Sequence, residues 1–158
     1  MNDLVKDFDE QFARLYLRAC ALIEIVSAEI LYRQPRAAQN MSVRSCGEHL
    51  LRNAGAIEQT FGGLTANLWD DPFEWTLPEN LATPERMLEY MREVEQTRRR
   101  AFETFTGDHD LSKKIVVPSG GIKTLNALLL ETLARAAHHQ GGAYAALRLF
   151  SDAHLPRV

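Results

Sequence analysis

Four separate stretches of the chain carry apolar side chains three or four residues apart, and this spacing constrains the fold more than any other feature. Only a helix gathers such a series on one face. The stretches are residues 3–33, 43–67, 84–106 and 123–150. In the first stretch the apolar series runs Leu4, Phe8, Phe12, Leu15, Ala19, Leu22, Val26 and Ile30. Four amphipathic helices bury their stripes most simply against one another, so the sequence predicts an all-α fold, a four-helix bundle, as a single domain over residues 1–158.

Local signals mark where these helices begin and end. Ser45-Cys46-Gly47-Glu48 has the spacing of a capping box, with Ser at the cap and Glu three residues on. Thr83-Pro84-Glu85 combines a capping Thr, a proline at the first helical position and an adjacent acid. Thr124 is the expected cap of the last helix, and Pro35 is expected to end the first.

Two connections are too long for tight turns between neighbouring helices. The fourteen residues from Trp69 to Ala82 reach roughly 45 Å when extended. That is longer than a helix of about 25 residues at ~1.5 Å per residue. The third helix could therefore run parallel to the second, with the connection crossing outside the bundle. The connection from Asp108 to Lys123 could do the same, and its segment 113–117 is expected to be extended.

Composition excludes several classes of partner. The chain of 158 residues has a net charge of −3 and a pI of about 6.0, whereas nucleic-acid binding favours a basic surface. No stretch approaches the ~20 apolar residues of a membrane span. Cys20 and Cys46 lie in helical patterns, and the first residues lack the features of a secretory signal. These observations predict a cytoplasmic protein with reduced thiols and no membrane or nucleic-acid partner.

Three motifs resemble the DinB/YfiT-like superfamily. Residues 137–148, AHHQGGAYAALR, resemble that family's "HHRGQ…LR" signature, residues 47–52, GEHLLR, resemble "GE-x-L-x-H", and residues 124–129, TLNALL, resemble "tL-x-x-lL". The resemblance covers nearly the whole chain in order and spacing. It implies a bundle of up-down-down-up order, often dimeric, and the long second connection agrees with that order.

The resemblance also implies a metal chemistry. Many members bind zinc or nickel through one histidine on the second helix and two histidines four residues apart on the fourth. Characterised members include thiol-dependent S-transferases and a maleylpyruvate isomerase. Residues four apart share a helix face, so such a pair can offer two imidazoles to one ion. A third imidazole leaves one position open for water or a thiol, which a bound metal would deprotonate.

Two of the three ligand positions are altered in this chain. The last ligand falls on His139, its partner on Arg135 and the second-helix ligand on Arg52. Arginine has no lone pair to donate. We therefore expect no metal site and no cofactor. A shifted register would instead make His49 the second-helix ligand, together with His138 or His139, and would leave zinc or nickel as the alternative.

Three functions follow from these alternatives, and whether the protein is an enzyme stays open. The first is a non-metal relative whose pocket is rebuilt around Arg52, Arg135 and His139. Facing guanidinium groups need an acid between them, either Glu48 or a small carboxylate or phosphate ligand. The second function is a metal-dependent thiol S-transferase. The third is a non-catalytic, dimeric interaction module.

Two surface predictions complete the sequence-based picture. Trp69, Phe73 and Trp75 in the middle connection are hard to bury in one small bundle, and with the resemblance they predict a homodimer. Arg98-Arg99-Arg100 surrounds one helical turn and is expected to face solvent.

Overall fold

The protein is a four-helix bundle in the computed structural model, which describes residues 3–36, 43–72, 78–118 and 120–155. The bundle helices are α1 (Leu4–Ile25), α3 (Cys46–Ala66), α4 (Pro84–Glu103) and α5 (Leu125–Arg148), with a one-turn helix α2 (Ala28–Leu31) after α1. Short 3₁₀ turns cover Pro78–Leu81 and Asp108–Ser112. Strands β1 (Lys114–Val117) and β2 (Gly121–Thr124) precede α5. The predicted all-α fold is confirmed.

Contacts between helices give the order up-down-down-up. The helices α3 and α5 are antiparallel, because residue numbers along α3 increase while those of their contact partners on α5 decrease. The contacting pairs are His49 with His139, Asn53 with Ala136 and Thr60 with Thr132. Along α4 and α3 both numbers rise, from Glu58 with Tyr90 to Phe61 with Phe102. The helices α1 and α4 are antiparallel, since Asp9 meets Arg98 and Cys20 lies near Arg92. The predicted parallel step from α3 to α4 is therefore present.

Aromatic rings from three helices pack against one another in the middle of the bundle. Phe12 of α1 meets Phe61 of α3 edge to face, with ring centroids 5.1 Å apart. Phe102 of α4 packs 5.6 Å from Phe61 and 5.2 Å from Phe105. Phe12 and Phe61 are fully buried. Each such aromatic pair adds about 0.5–1.5 kcal/mol beyond the area it buries.

The prediction of one unbroken first helix over 3–33 is wrong. α1 ends at Ile25, and Val26 and Ser27 are extended before α2 begins. The break redirects the chain so that two later residues make contacts with the rest of the protein. Leu31 is fully buried, and the Tyr32 hydroxyl donates to the carbonyl of Leu81 at 2.7 Å. Val26 lies in the break and is buried. The apolar spacing therefore continues across the break, and the spacing alone does not reveal it.

The predicted caps are confirmed. Ser45 accepts from the Glu48 N–H at 3.2 Å while the Glu48 carboxylate accepts from the Ser45 N–H at 2.7 Å, which completes the capping box. Thr83 and Thr124 cap α4 and α5 in the same way through their hydroxyls.

The predicted extended segment is the first strand of a hairpin. β1 pairs antiparallel with β2 from Lys114 opposite Thr124 to Val117 opposite Gly121. Its outward residues, Val116 and Ile122, are 70% and 66% exposed. The hairpin therefore lies on the bundle and does not replace its core.

The expectation that Arg98 faces solvent is wrong. Its side chain is buried, and its guanidinium donates to both oxygens of the buried Glu95 carboxylate at 2.7 and 2.8 Å, with a further contact to Asp9. Arg99 binds the same carboxylate from outside, and its side chain is 66% exposed. A buried guanidinium needs such paired oxygens because charge is costly to remove from water.

None of the helices in the described ranges is both long and apolar enough to cross a membrane. Cys20 and Cys46 are free thiols, the first half-buried and the second buried. The cytoplasmic location stays a prediction.

Candidate functional site

A small cleft opens where α3 faces α5. Helical spacing places Arg52, Gly55, Ala56 and Gln59 along one side of α3, and Arg135 and His139, four residues apart, on the facing side of α5. Gly55 and Ala56 have little or no side chain, so the two helices leave a space of about 70 Å³ between the longer groups. A cavity needs roughly 10–15 Å³ of this kind to hold one water, so the cleft has room for water or a small ion.

The three residues Arg52, Arg135 and His139, singled out from sequence, line this same cleft. Both arginines are exposed, whereas His139 is half-buried. Arg135 donates from Nη2 to Gln59 Oε1 at 3.3 Å. The sequence predicted a partly buried pair of guanidinium groups; because they are exposed, solvent weakens their mutual repulsion.

The prediction that Glu48 lies between the two arginines needs correction. Its carboxylate accepts from the Ser45 N–H at 2.7 Å and from Gln34 Nε2 at 2.9 Å, at the start of α3. Burial alone would raise the pKa of Glu48, but the Ser45 and Gln34 hydrogen bonds and the nearby Arg44 lower it. Capping therefore holds Glu48 away from the cleft, among whose lining residues it is not found.

The acid that does line the cleft is Asp71, from the crossover after α3. Asn67 ends α3 in the left-handed conformation (φ 57°) and turns the chain back. The Trp69 ring then packs on Gly63, where any Cβ would come within 2.3 Å of it. Gln59 donates from Nε2 to the Trp69 carbonyl at 2.9 Å. Sequence reasoning missed Asp71 because this return of the chain brings it to the cleft. It also missed Gln59, although helical spacing from Arg52 places Gln59 on the same side of α3.

These contacts also bear on the predicted dimer. Trp69 is half-buried against its own helix, so it needs no second subunit to cover it. Phe73 and Trp75, the other two aromatic residues behind that prediction, lie outside the described residues. The homodimer stays a prediction.

A cluster of histidines adjoins the cleft. His49 Nδ1 lies 3.4 Å from His139 Nδ1, a hydrogen bond in which one ring donates and the other accepts. His138 is exposed, with its ring centroid 5.2 Å from that of His139. Gly142 makes the contact possible, since a Cβ there would lie 2.5 Å from His49 Cε1. The two adjacent histidines therefore differ in environment: His139 is half-buried against His49, and His138 faces solvent.

The surroundings keep this histidine pair neutral. Burial lowers the pKa of His139 to about 4, with help from His138, His49, Arg44 and Arg52. Burial also lowers the pKa of His49, again with Arg44 and His138 contributing. Neutral imidazoles at pH 7 keep lone pairs available to a proton donor or an electrophile.

The residues do not fit the three-histidine metal set of the family. Arg52 and Arg135 occupy two of its positions, and only His139 matches. In the ranges the structure describes, no group of three His, Cys, Asp or Glu side chains could hold an ion. Two positive charges beside His139 would also repel a dication.

Comparison with known proteins supports the architecture and goes no further. No protein-family model matches the chain, and no curated protein matches it. A crystal structure of a protein assigned to the DinB family, from Exiguobacterium sibiricum 255-15, superposes with a TM-score of 0.69. The two are 18% identical, and the match covers 98% of this chain and 97% of the other. The chain therefore has a DinB-like fold.

Proposed function

We propose that this protein is a DinB-like bundle that binds a small carboxylate or phosphate between Arg52 and Arg135 without a metal. The arrangement that carries the proposal is the pair of guanidinium groups on facing helices around one small cleft. With His139 neutral, the two arginines and Asp71 give the lining side chains a charge of +1. An anion is the ligand that this balance favours.

The expected affinity is modest because both arginines are exposed. A hydrogen bond to a charged group contributes about 1.5–3 kcal/mol. Two such bonds correspond to a dissociation constant on the order of 1 mM. His139 adds a neutral group beside the bound anion that can donate or accept a hydrogen bond.

A titration with acetate and inorganic phosphate, followed by amide NMR shifts, tests the proposal. Shifts should cluster around Arg52 and Arg135, weaken with added salt, and disappear in Arg52→Gln and Arg135→Gln. Arg148→Gln is the matched control, because Arg148 is an exposed arginine on the same helix that donates to the Ala153 carbonyl. Anion binding that survives both cleft substitutions would contradict the proposal.

A metal-dependent thiol S-transferase is the second candidate, and one distance favours it. Two nitrogens bound to a tetrahedral zinc at ~2.0–2.1 Å lie about 3.4 Å apart, which matches the separation of His49 Nδ1 and His139 Nδ1. These residues would supply two ligands of the shifted register. Metal analysis of protein purified without a histidine tag tests this candidate: stoichiometric zinc or nickel that His49→Ala removes would favour it over the first.

A further inference from the structure

A second cavity of about 220 Å³ lies directly beside the arginine cleft. α3 and α5 form its floor, and Val117, Pro118 and Lys123 of the hairpin region form one wall. Gln59 and Arg135 line this cavity and the cleft alike. The two spaces are therefore neighbours that share a boundary.

A hydrogen bond joins Arg135 to Gln59, the two side chains that line both spaces. It measures 3.3 Å and joins exposed side chains, so it is long and competes with water. A ligand that recruits the Arg135 guanidinium would replace this bond with a charged one. Because Arg135 lines both spaces, a ligand bound to it in the cleft lies next to the second cavity.

The floor of the second cavity has a defined hydrogen-bond polarity. The Thr132 hydroxyl donates to the Leu128 carbonyl at 2.8 Å. A hydroxyl has one proton, so in its 2.7 Å contact with Thr60 the Thr132 oxygen accepts and Thr60 donates. Both threonines are buried and line the cavity. The Thr60 oxygen therefore offers lone pairs and no proton, which calls for a donor on the ligand.

The wall of this cavity is close to neutral. Lys123 pairs with Glu131 across the opening between the hairpin and α5. The net positive charge of the second cavity's lining therefore comes from Arg135, which the cavity shares with the cleft.

We infer that the second cavity is the other half of the ligand site and accepts an uncharged N–H or O–H group of the bound anion at Thr60. This inference rests on the proposed function, and it names the ligand class: a small carboxylate or phosphate with a hydrogen-bond donor at its far end. The donor reaches Thr60 while the anionic end lies between Arg52 and Arg135.

Matched amide and ester probes test the inference. The amides are N-acetylglycine, N-acetyl-β-alanine and N-acetyl-4-aminobutyrate, and in each ester an oxygen replaces the N–H. Acetate serves as the probe for the cleft alone. One neutral hydrogen bond corresponds to about a fivefold gain in affinity. For the amide whose length fits, wild-type protein should therefore bind about fivefold more tightly than to its ester.

Substitutions at Thr60 assign the gain to its hydroxyl. The amide preference should vanish in Thr60→Val and persist in Thr60→Ser, which retains the hydroxyl. Thr65→Val is the matched control, because Thr65 lies on the same helix, bonds the Phe61 carbonyl and does not line the cavity. Acetate should bind all these variants equally. Should Thr60→Val fail to fold, the amide and ester affinities of wild-type protein still decide.

The outcomes separate the two proposals. Acetate binding with no amide preference at any length overturns the second-cavity inference alone, as does a preference that persists in folded Thr60→Val. Absence of binding by acetate and by every amide overturns the proposed function and this inference with it.

Discussion

Two adjacent glycines of α5 allow the histidine contact to be tested by stability. A Cβ at Gly141 would meet no atom within 4 Å, whereas a Cβ at Gly142 would lie 2.5–2.8 Å from three atoms of the His49 ring. Both positions are well inside the helix. Gly141→Ala and Gly142→Ala therefore gain the same helix propensity, and they differ mainly in what the added methyl group meets.

The magnitudes follow from that difference. Alanine in place of glycine inside a helix stabilises by about 0.8–1 kcal/mol, so Gly141→Ala should be more stable than wild type by roughly that amount. In Gly142→Ala the His49 ring must move and its bond to His139 is lost. Overpacking of this kind costs about 1–3 kcal/mol. We expect Gly142→Ala to be about 1–3 kcal/mol less stable than Gly141→Ala.

Urea unfolding of the two variants, in the native and the His49→Ala background, measures this directly. Removal of the ring should let Gly142→Ala show the full propensity gain, so the coupling between positions 49 and 142 should be about 1–3 kcal/mol. Gly141→Ala should behave alike in both backgrounds. A Gly142→Ala variant as stable as Gly141→Ala with His49 present would refute the close approach, and with it the basis of the contact to His139.

Three further predictions concern the cap, the buried ion pair and the histidines. Ser45→Ala should lower the free energy of unfolding by about 1 kcal/mol, because the capping box loses its acceptor, and the melting temperature should fall by about 2–4 °C. Arg98→Met should cost about 3 kcal/mol in urea unfolding, because the buried Glu95 loses its buried partner and keeps the exposed Arg99. The control Arg99→Met removes that exposed partner and should cost about 1 kcal/mol or less. The lowered pKa of His139, about 4, means that the unfolded chain, with a histidine pKa of about 6.5, binds more protons between these values. The contribution of His139 to the free energy of unfolding should therefore be fully present above pH 6.5. The free energy of unfolding should fall by about 1 kcal/mol from pH 6.5 to 5, after allowance for the partial exposure of His139, and by less in His139→Asn. An equal loss in the two proteins would contradict the assignment.

Helix caps were predictable from sequence because each depends on four consecutive residues. Ser45 and Glu48 satisfy one another whatever the rest of the chain does. The break after Ile25 was not predictable in the same way, since its cause lies far along the chain. Tyr32 reaches the Leu81 carbonyl, 49 residues on, and Val26 stays buried across the break. Periodicity reports which side a residue faces and does not report a pause between two helical segments.

The candidate site likewise has residues that the sequence places correctly and residues that it does not. Arg135 and His139 are one helical turn apart, and Arg52 faces them across an antiparallel pair, so helix geometry and the family pattern bring the three to one cleft. Asp71 could not be placed in advance, because the αL cap and the packing of Trp69 on α3 decide where the crossover returns. Glu48 was misplaced because its capping role, itself predicted, already occupies its carboxylate.

The anion and metal alternatives are linked through His139, which lines the arginine cleft and also contacts His49. A dication held by the two histidines would be repelled by Arg52 and Arg135. An anion bound between those arginines would offset that repulsion. The coupling between the two ligands is therefore positive, and by thermodynamic reciprocity each would raise the affinity for the other by the same factor. A metal measurement in anion-free buffer alone would understate metal affinity, so the choice between the two functions requires zinc and nickel binding to be measured with and without phosphate.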